Sequence, residues 1–471
     1  MTFPKYPEYK DSGVEWLGEV PAHWSVKPLK YLTNFINGMA FKPNEWSLEG
    51  TPIIRIENLN DSESFNFYDG KVDGRYHVTK GDLLFGWSGN KGTSFGPYIW
   101  GKEGAFYLNQ HIFRLAELSA DKKWLYWTLK AVTKTIEDQA HGIIGMVHVT
   151  KGKLGGIPVP YIPKNEQQVI AAFLDYETAR IDALVEQQQR LIELLKEKRQ
   201  AVISHAVTKG LDPNVPMKDS GVEWMGEVPV HWEVIKLGLI AEDKCDGPFG
   251  SALKSEHYTD HGVRVIRLQN IKSGIFNNSD SAYIDEGYYG SSIAKSDVVS
   301  GDVLVAGLGD ERNVVGRACV APAGIEPAMV KADCFRFRLI QDKAFPDFIA
   351  EQLSSGAEAD AGVMASGSTR SRISLSVMST RKVGLPPSEE QLDICRHISN
   401  IKHTFDLLSK KAQLAIRLLQ ERRSALISAA VTGKIDVRGW QASQHAEQAE
   451  VLLAAEERAA YVYGKEPSDE V

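Results

Sequence analysis

The sequence predicts an α+β protein made of two similar globular domains, joined by two long antiparallel helices that form a coiled coil. Three observations support this fold class. The chain contains two copies of one unit, each copy opens with short runs rich in glycine, aromatic and β-branched residues, and each ends in a long stretch of helical periodicity. The order of the copies makes the chain nearly circular, which predicts a pseudo-twofold organisation.

The repeat is clearest in two fifteen-residue segments. Residues 10–24 (KDSGVEWLGEVPAHW) and 218–232 (KDSGVEWMGEVPVHW) agree at thirteen positions. Residues 198–208 resemble residues 422–432 in the same way. A period above 200 residues is much longer than the roughly 20–50 residues of solenoid repeats. The repeat therefore predicts two domains of one kind.

The repeat sets the expected domain boundaries. Runs such as 51–56 and 262–268 are typical of strands in a mixed globular domain. We expect a first globular domain at 1–163, a first helix at 164–210, a second globular domain at 211–387, a second helix at 388–434, and an acidic, Ala-rich C-terminal tail at 435–471.

Each long helix has a recognisable start. Asn165 and Ser388 follow prolines and are the expected N-caps. Both helices carry Glu-Gln in the first turn, beginning at Glu166 and Glu390, where an acid suits the positive end of the helix dipole.

Apolar positions in both helices alternate at spacings of three and four residues. This pattern runs over 174–205 and 398–429, includes Leu184 and Leu408, and is typical of a coiled-coil seam. An alternative is that each helix packs on its own globular domain. The segment that follows the first helix resembles the start of the chain, so we expect residues near 5 to lie close to residues near 435.

Composition fits an ordinary globular protein of 471 residues, with 43% hydrophobic and 24% charged residues. The net charge of -7 opposes nucleic-acid binding only weakly, because residues 436–471 contribute eight acids and three bases. No segment has the pattern of a signal peptide or a membrane span. The four cysteines show no C-x-x-C spacing, which favours a reducing cytoplasm over a zinc or redox site.

Catalytic signatures are missing from the sequence. It contains no G-x-x-x-x-G-K-[ST] phosphate loop, no H-E-x-x-H zinc motif and no Asn-Pro-Pro-aromatic methyltransferase motif. We therefore expect no catalytic, cofactor or metal site on this chain itself.

Recognition surface is the remaining kind of site. Residues 139–165 and their counterparts 361–388 contain no Asp or Glu but several basic residues, a composition that avoids repelling phosphate. The alternative is a solvated loop that happens to lack acids. Arginine, lysine and asparagine are the types that contact phosphates and base edges. The candidate DNA-binding residues are Lys42, Arg55, Asn58, Asn90, Lys91, His148, Lys151, Lys254, Arg267, Asn270, Arg312, Asn313, Arg317, Arg370 and Arg372.

The sequence resembles the specificity subunits of type I restriction–modification systems. The resemblance rests on the twin G-E-V-P-x-H-W segments at 18–24 and 226–232, the E-Q helix starts, and the R-x-A-[VL]-I-S-x-A-V-T helix ends. It covers about residues 5 to 435, and the tail departs from it.

The resemblance implies a function. In that family each of two target-recognition domains reads one half of a split double-stranded DNA site, and the helical spacer docks two methyltransferase subunits. Motor–nuclease subunits join this core. The chain itself would be non-catalytic and hold no cofactor, whereas the methyltransferase would use S-adenosylmethionine and the motor–nuclease ATP and magnesium.

Two other classes of function are also compatible with the sequence. One is a coiled-coil scaffold that binds protein without reading DNA, and the other is a self-contained DNA enzyme. Duplex binding with a steep salt dependence separates the reader from the scaffold, and activity without partner subunits would establish the enzyme.

Overall fold

The computed structural model describes residues 3–60, 62–139, 146–249, 252–361 and 371–441. Within them the chain forms two compact units. Unit 1 comprises the residues up to Gln188 and those from Leu414 onward, and unit 2 is Gln189–Gln413. The division cuts both long helices, the first at Lys164–Lys209 and the second at Ser388–Val431. Each unit thus contains the first half of one long helix and the second half of the other.

Unit 1 contains two four-stranded sheets, of which the first is antiparallel and the second contains one parallel pair. In spatial order the first sheet consists of Gly96–Ile99, Leu83–Gly86, Ile112–Ala116 and Asn34–Asn37, and the second of Asn66–Tyr68, Thr51–Ile54, Phe106–Leu108 and His77–Val78. Three strand pairs complete the unit: Tyr9–Asp11 with Glu19–Pro21, Ser25–Pro28 with Pro158–Tyr161, and Ser88–Asn90 with Met146–His148. Its shorter α-helices are Lys122–Gln139 and Lys151–Gly156.

Unit 2 repeats this plan with small differences. Its four-stranded sheet consists of Ala241–Asp246, Cys334–Leu339, Val303–Ala306 and Ala318–Val320, and its five-stranded sheet of Tyr258–Thr259, Tyr283–Ile284, Val263–Ile266, Ala328–Val330 and Asp297–Val298. The strand pairs are Met217–Asp219 with Glu227–Pro229, Glu233–Lys236 with Lys382–Leu385, Ile271–Lys272 with Ile275–Phe276, and Leu308–Gly309 with Ser371–Arg372. Its shorter α-helices are Glu286–Tyr288, Pro346–Ser355 and Leu375–Met378. The α+β fold class with two similar domains is confirmed.

The end of each long helix fills the core of the unit that it enters. In unit 1, Leu426 and Val431 from the second helix are buried in the same cluster as Trp24. In unit 2, Ile203 and Val207 from the first helix are buried with Trp232. The alternative that each helix packs on its own globular domain therefore holds only for the first part of each helix.

The two helices run antiparallel in unit 1. The carboxylate of Asp182 lies 2.8 Å from Nε of Arg423. Gly433, just after the end of the second helix, packs so closely on Trp24 that an added Cβ would lie 2.9 Å from the ring. The Trp24 indole in turn donates a hydrogen bond to Glu166, in the first turn of the first helix. The start of the first helix thus faces the end of the second.

Unit 2 shows the same direction of pairing. Arg199 lies 2.7 Å from Asp406, and a Cβ on Gly210 would lie 3.1 Å from the Glu390 carboxylate. Gly210 has a φ of +76° and ends the first helix beside the start of the second. Glycine fits here because the left-handed conformation is strained for other residues.

The predicted seam is partly wrong. Leu184 and Leu408 are 38% and 41% exposed and lie outside the helix pairing. Where two apolar residues are adjacent, as at Leu184 and Val185, the sequence does not decide which of them faces the partner helix. Either order of three- and four-residue steps fits the pattern. The half-buried or buried positions of the two helices include Ile181, Val185, Gln188, Ile192, Leu195, Arg199, Ile398, Phe405, Ser409, Ala412, Ile416, Leu419 and Arg423.

The expected helix caps are late in both copies, Asn165 by two residues and Ser388 by one. The N–H of Gln167 bonds to the carbonyl of Pro163, and the N–H of Gln391 to that of Pro387. The helices thus begin directly after these prolines, and Asn165 and Ser388 already lie within the first turn.

The ends of the repeat meet in unit 1. The hydroxyl of Tyr9 donates a 3.0 Å hydrogen bond to the carbonyl of Gly433. The ring of Phe173 lies 5.2 Å from Phe3 and 5.6 Å from Trp440. The expected closeness of residues near 5 and 435 is confirmed, whereas the tail from 442 onward lies outside the described residues.

None of the helices in the described part of the chain has both the length and the apolar character needed to span a membrane.

Candidate nucleic-acid interface

The repeated His-Trp segment holds the start of the first long helix in unit 1. The carboxylate of Glu166 accepts hydrogen bonds from the Tyr6 hydroxyl (2.6 Å) and the Trp24 indole (3.2 Å), and it lies 2.9 Å from Nε2 of His23. Its side chain is only 4% exposed. Burial and the nearby Glu166 charge raise the pKa of Tyr6. The motif is therefore a structural clamp on the helix start.

Unit 2 carries the same clamp in a weaker form. Glu390 lies 2.7 Å from His231 and accepts a 3.0 Å bond from the Trp232 indole. The position that corresponds to Tyr6 is Asn214, and the Glu390 side chain is 27% exposed.

The glutamine that follows each glutamate is also buried and bonded. The side-chain oxygen of Gln167 accepts the N–H of Asp121, and that of Gln391 accepts the N–H of Phe345. Each Glu-Gln pair thus connects the helix start to two separate parts of its domain. From the sequence, the glutamate was expected only to interact favourably with the helix dipole.

The described parts of the two stretches without Asp or Glu (the acid-free stretches), residues 146–165 and 371–388, fold in the same way. Val149 donates a 2.9 Å backbone hydrogen bond to the Trp87 carbonyl, and Ile373 donates an equal one to the Gly307 carbonyl. A short helix follows in each case, capped by Thr150 in unit 1 and by the Ser374 hydroxyl in unit 2.

This match makes His148 and Arg372 corresponding residues. Each immediately precedes the buried residue that makes the backbone bond described above, and each side chain is exposed. The acid-free stretches thus display an imidazole in one unit and a guanidinium in the other.

Comparison with known proteins agrees with this repeated architecture. Residues 21–194 match the family described as the type I restriction modification DNA specificity domain. The chain is 24% identical over 448 residues to the type I restriction enzyme EcoBI specificity subunit of Escherichia coli, which covers 92% of this chain and 91% of that protein. It is also 24% identical to the MjaVIII specificity subunit of Methanocaldococcus jannaschii, over 89% of this chain and 94% of the relative. The chain as a whole resembles the type I restriction–modification specificity subunits, and residues 21–194 match their specificity domain.

A solved structure supports the fold of this chain over most of its length. A chain from a structure of the type I R-M system, described for its complex assembly and conformational transition, superimposes with a TM-score of 0.63. The match covers 88% of this chain and 98% of that chain at 13% sequence identity.

Two of the candidate DNA-binding residues are buried and hold turns. Asn58 is 3% exposed, and its amide donates to the carbonyls of Ser62 and Ser64. Asn270 is fully buried, and its amide donates to the carbonyls of Asn277 and Asp280. Both amides are fully engaged within the protein, so their geometry favours a structural role.

Three candidate arginines also have internal partners. Arg55 is bonded to Asn66 and pairs with Glu57, and Arg267 makes a two-pronged ion pair with Asp280. Arg317 is 4% exposed, and its guanidinium donates to five backbone carbonyls. Burial lowers the pKa of Arg317.

The other described candidates lie at the surface. Lys91 donates a 3.0 Å hydrogen bond to the Glu137 carbonyl, and Asn313 accepts a 2.8 Å bond from Lys272. Arg370 lies outside the described residues. The exposed or half-exposed candidates are Lys42, Asn90, Lys91, His148, Lys151, Lys254, Arg312, Asn313 and Arg372.

A repeated arginine–aspartate contact escaped sequence reasoning. In unit 2, Nε of Arg338 lies 3.0 Å from Asp302, and the fully buried Arg336 lies 3.9 Å from the same carboxylate. Arg114 and Asp82 of unit 1 are 4.0 Å apart at corresponding positions. Two dipeptides that recur between the copies could have indicated this contact. They are Gly-Asp at 81–82 and 301–302, and Phe-Arg at 113–114 and 335–336.

Proposed function

We propose that this chain gives a type I restriction–modification complex its DNA sequence specificity, with each unit reading one half of a split double-stranded site. The observation that carries the proposal is the matched folding of the two acid-free stretches, which display His148 in one unit and Arg372 in the other. One fold with different exposed side chains suits a protein that reads two different half-sequences with one scaffold.

We propose that the DNA contacts come from the exposed candidates. The exposed cations Lys42, Lys151, Lys254 and Arg312 have the charge and accessibility that phosphate contacts require. Asn58, Asn270 and Arg317 are instead proposed to keep the recognition loops in shape, because their polar groups are already bonded within the protein.

The long helices supply a second surface in this proposal. Both carry large leucines that are exposed outside the helix pairing, and we propose that these form docking positions for two methyltransferase subunits. Their exposed fractions lie between 38% and 53%. In unit 1 they are Leu184, Leu414 and Leu418, and in unit 2 they are Leu191, Leu194, Leu407 and Leu408.

The partner subunits supply the chemistry in this proposal. The methyltransferase uses S-adenosylmethionine, and motor–nuclease subunits that join the complex use ATP and magnesium. This chain, in the cytoplasm, selects the DNA sequence and positions the partner subunits on it. The alternative, a coiled-coil scaffold without direct DNA readout, would use the same leucines but not the acid-free stretches.

Binding measurements on the chain with its methyltransferase test the proposal. Methylome sequencing of a host carrying both proteins identifies the split site, and duplexes with and without it are then titrated at several salt concentrations. We expect tighter binding to the site and a steep fall in affinity with salt. Assembly with the methyltransferase without any preference for the site would favour the scaffold.

Docking is tested separately with outward-facing substitutions. Leu184→Asp combined with Leu408→Asp should weaken methyltransferase binding at least tenfold and leave thermal stability nearly unchanged. Gln189→Asp with Gln413→Asp is the matched control, because these exposed polar positions carry no apolar surface. Normal assembly of the leucine variant would place docking elsewhere.

A further inference from the structure

Polar residues that recur between the units differ in kind from those that change. The residues that recur, such as Asn58 with Asn270 and His23 with His231, bond to the protein's own backbone or carboxylates. The surface around His148 in unit 1 and the surface around Arg372 in unit 2 occupy the same position in the repeat but carry different side chains. A scaffold that serves two recognition sequences keeps the first kind and changes the second.

The unit 2 version of this surface centres on Arg372. Its Nε donates a 2.7 Å hydrogen bond to Asp333, and its guanidinium lies 5.3 Å from the ring centre of Phe249. The side chains of Arg372 and Phe249 are nevertheless about half exposed, at 53% and 48%. Among the described residues no partner is found for the two terminal nitrogens of Arg372, so they remain available to a ligand.

Asp333 is itself held in place. It has a φ of +65°, an uncommon conformation for a residue other than glycine. Its backbone N–H donates a 3.1 Å hydrogen bond to Oδ1 of Asp246, which also accepts the N–H of Gly247 at 2.7 Å. Asp246 and Asp333 thus act as positioning residues that fix the direction in which the guanidinium fork points.

The unit 1 version is aromatic. The ring of His148 lies 4.8 Å from Trp87, which also lies 5.3 Å from His111. Strand pairing aligns Trp87 with Gly307 and His111 with Asp333. An imidazole beside an indole therefore occupies the place where unit 2 has a carboxylate-held guanidinium, so the two surfaces offer different donor geometries to a ligand.

We infer that Arg372 is a specificity-determining residue, which reads a guanine in the half-site bound by unit 2 through bidentate contact with its O6 and N7. This inference rests on the proposed function. A guanidinium fixed through Nε and along one face presents its two terminal nitrogens in a defined plane, as guanine recognition in the major groove requires. A phosphate contact needs the charge but not this fixed plane.

The test uses the full chain with its methyltransferase and duplexes that carry the mapped site. Each guanine is replaced in turn by 7-deazaguanine, which lacks the N7 acceptor. We expect one such position, in one half-site only, to weaken wild-type binding severalfold. Arg372→Ala should weaken binding by about 10- to 100-fold, and the 7-deaza substitution at that position should then cost nothing further.

Two variants separate base readout from charge and from misfolding. Arg372→Lys keeps the charge but not the fork, so it should lose the preference for that guanine and retain the salt dependence of binding. Arg312→Ala removes another exposed arginine of unit 2 and should leave the 7-deaza effect intact.

Contrary results are equally clear. If Arg372→Ala weakened all sequences equally, flattened the salt slope by ~0.9 and left the 7-deaza effect unchanged, Arg372 would contact phosphate. A mapped site without a guanine that responds in this way would also overturn the inference, while the proposed function would stand. Wild-type chain that binds DNA without sequence preference would overturn both.

Discussion

The backbone N–H of Asp436 donates a 2.8 Å hydrogen bond to the carbonyl of Pro4, which joins two points more than 430 residues apart in the chain. The contact lies beside the end of the second long helix, where the chain start supplies the strand pair Tyr9–Asp11 with Glu19–Pro21. In unit 2 the corresponding pair is Met217–Asp219 with Glu227–Pro229, and it follows the first long helix directly in sequence. After the second helix, the start of the chain thus occupies the position that the segment directly following the first helix occupies in unit 2.

A circular permutant should therefore fold. Gln441 would be joined to Phe3 by a short Gly-Ser linker, and the chain would be opened between Asp212 and Pro213, which are exposed. Because no core contact is removed, we expect a loss of about 1 kcal/mol or less, which corresponds to about 2–4 °C in the melting temperature. Thermal unfolding followed by circular dichroism measures this. Failure of the permutant to fold, when the unpermuted chain ending at Gln441 does fold, would contradict the prediction.

The clamp on the first helix should contribute more stability than its counterpart. Glu166→Ala leaves the buried Tyr6 hydroxyl and Trp24 indole without their acceptor, and hydrogen bonds to a charged group are worth about 1.5–3 kcal/mol each. We expect a loss of about 3 kcal/mol in unit 1. Glu390→Ala should cost about half as much, because Glu390 is more exposed and has no tyrosine partner.

Amide hydrogen exchange at the first turn of each long helix measures the two effects separately. Glu166→Gln serves as the control, since it keeps an acceptor for the indole and should recover part of the loss. Equal losses of protection, relative to wild type, in the two alanine variants would mean that the buried tyrosine contributes nothing to the stability of the helix start.

Prediction from sequence succeeded where a feature repeats and failed where it depends on a distant partner. The helices and the chain closure follow from the repeat itself. The choice between Leu184 and Val185 does not, because both are apolar and only the geometry of the partner helix distinguishes them. Asn58 has a residue type suited to base contact, but its bonds to Ser62 and Ser64 depend on a turn that the sequence does not display. The role of His23 required a partner 143 residues away.

The corrected seam makes a stability prediction of its own. Ile181 is 3% exposed in the core of unit 1, whereas Leu184 one turn later is 38% exposed. Ile181→Asp buries a carboxylate and should cost more than about 3 kcal/mol. Leu184→Asp should stay within about 0.5 kcal/mol of wild type. Urea unfolding of both variants checks this, and similar losses in the two would restore the seam expected from sequence.

Lys130 gives unit 1 a dependence of stability on pH. Burial, and next the charge of Arg423, lower the pKa of Lys130 from its usual 10.5 to about 8, while Glu137 acts in the opposite direction. The ammonium lies 5.3 Å from the ring centres of Tyr98 and Tyr126, which offsets part of this cost. Below pH 8 the group is charged in both folded and unfolded chains, so the whole cost is present.

Between pH 8 and 10.5 the folded chain has released this proton and the unfolded chain still holds it. Lys130 therefore makes the free energy of unfolding rise with pH across that window. A shift of this size corresponds to at most about 3 kcal/mol, and the aromatic contacts reduce it, so Lys130→Met should stabilise unit 1 by about 1–2 kcal/mol at pH 7. The variant should also lose the rise between pH 8 and 10.5, whereas Lys134→Met, at an exposed position of the same helix, should keep it. Thermal unfolding of the three proteins from pH 7 to 10.5 decides the matter, and a Lys130→Met variant less stable than wild type at pH 7 would show that the contacts with the tyrosines outweigh the cost of burial.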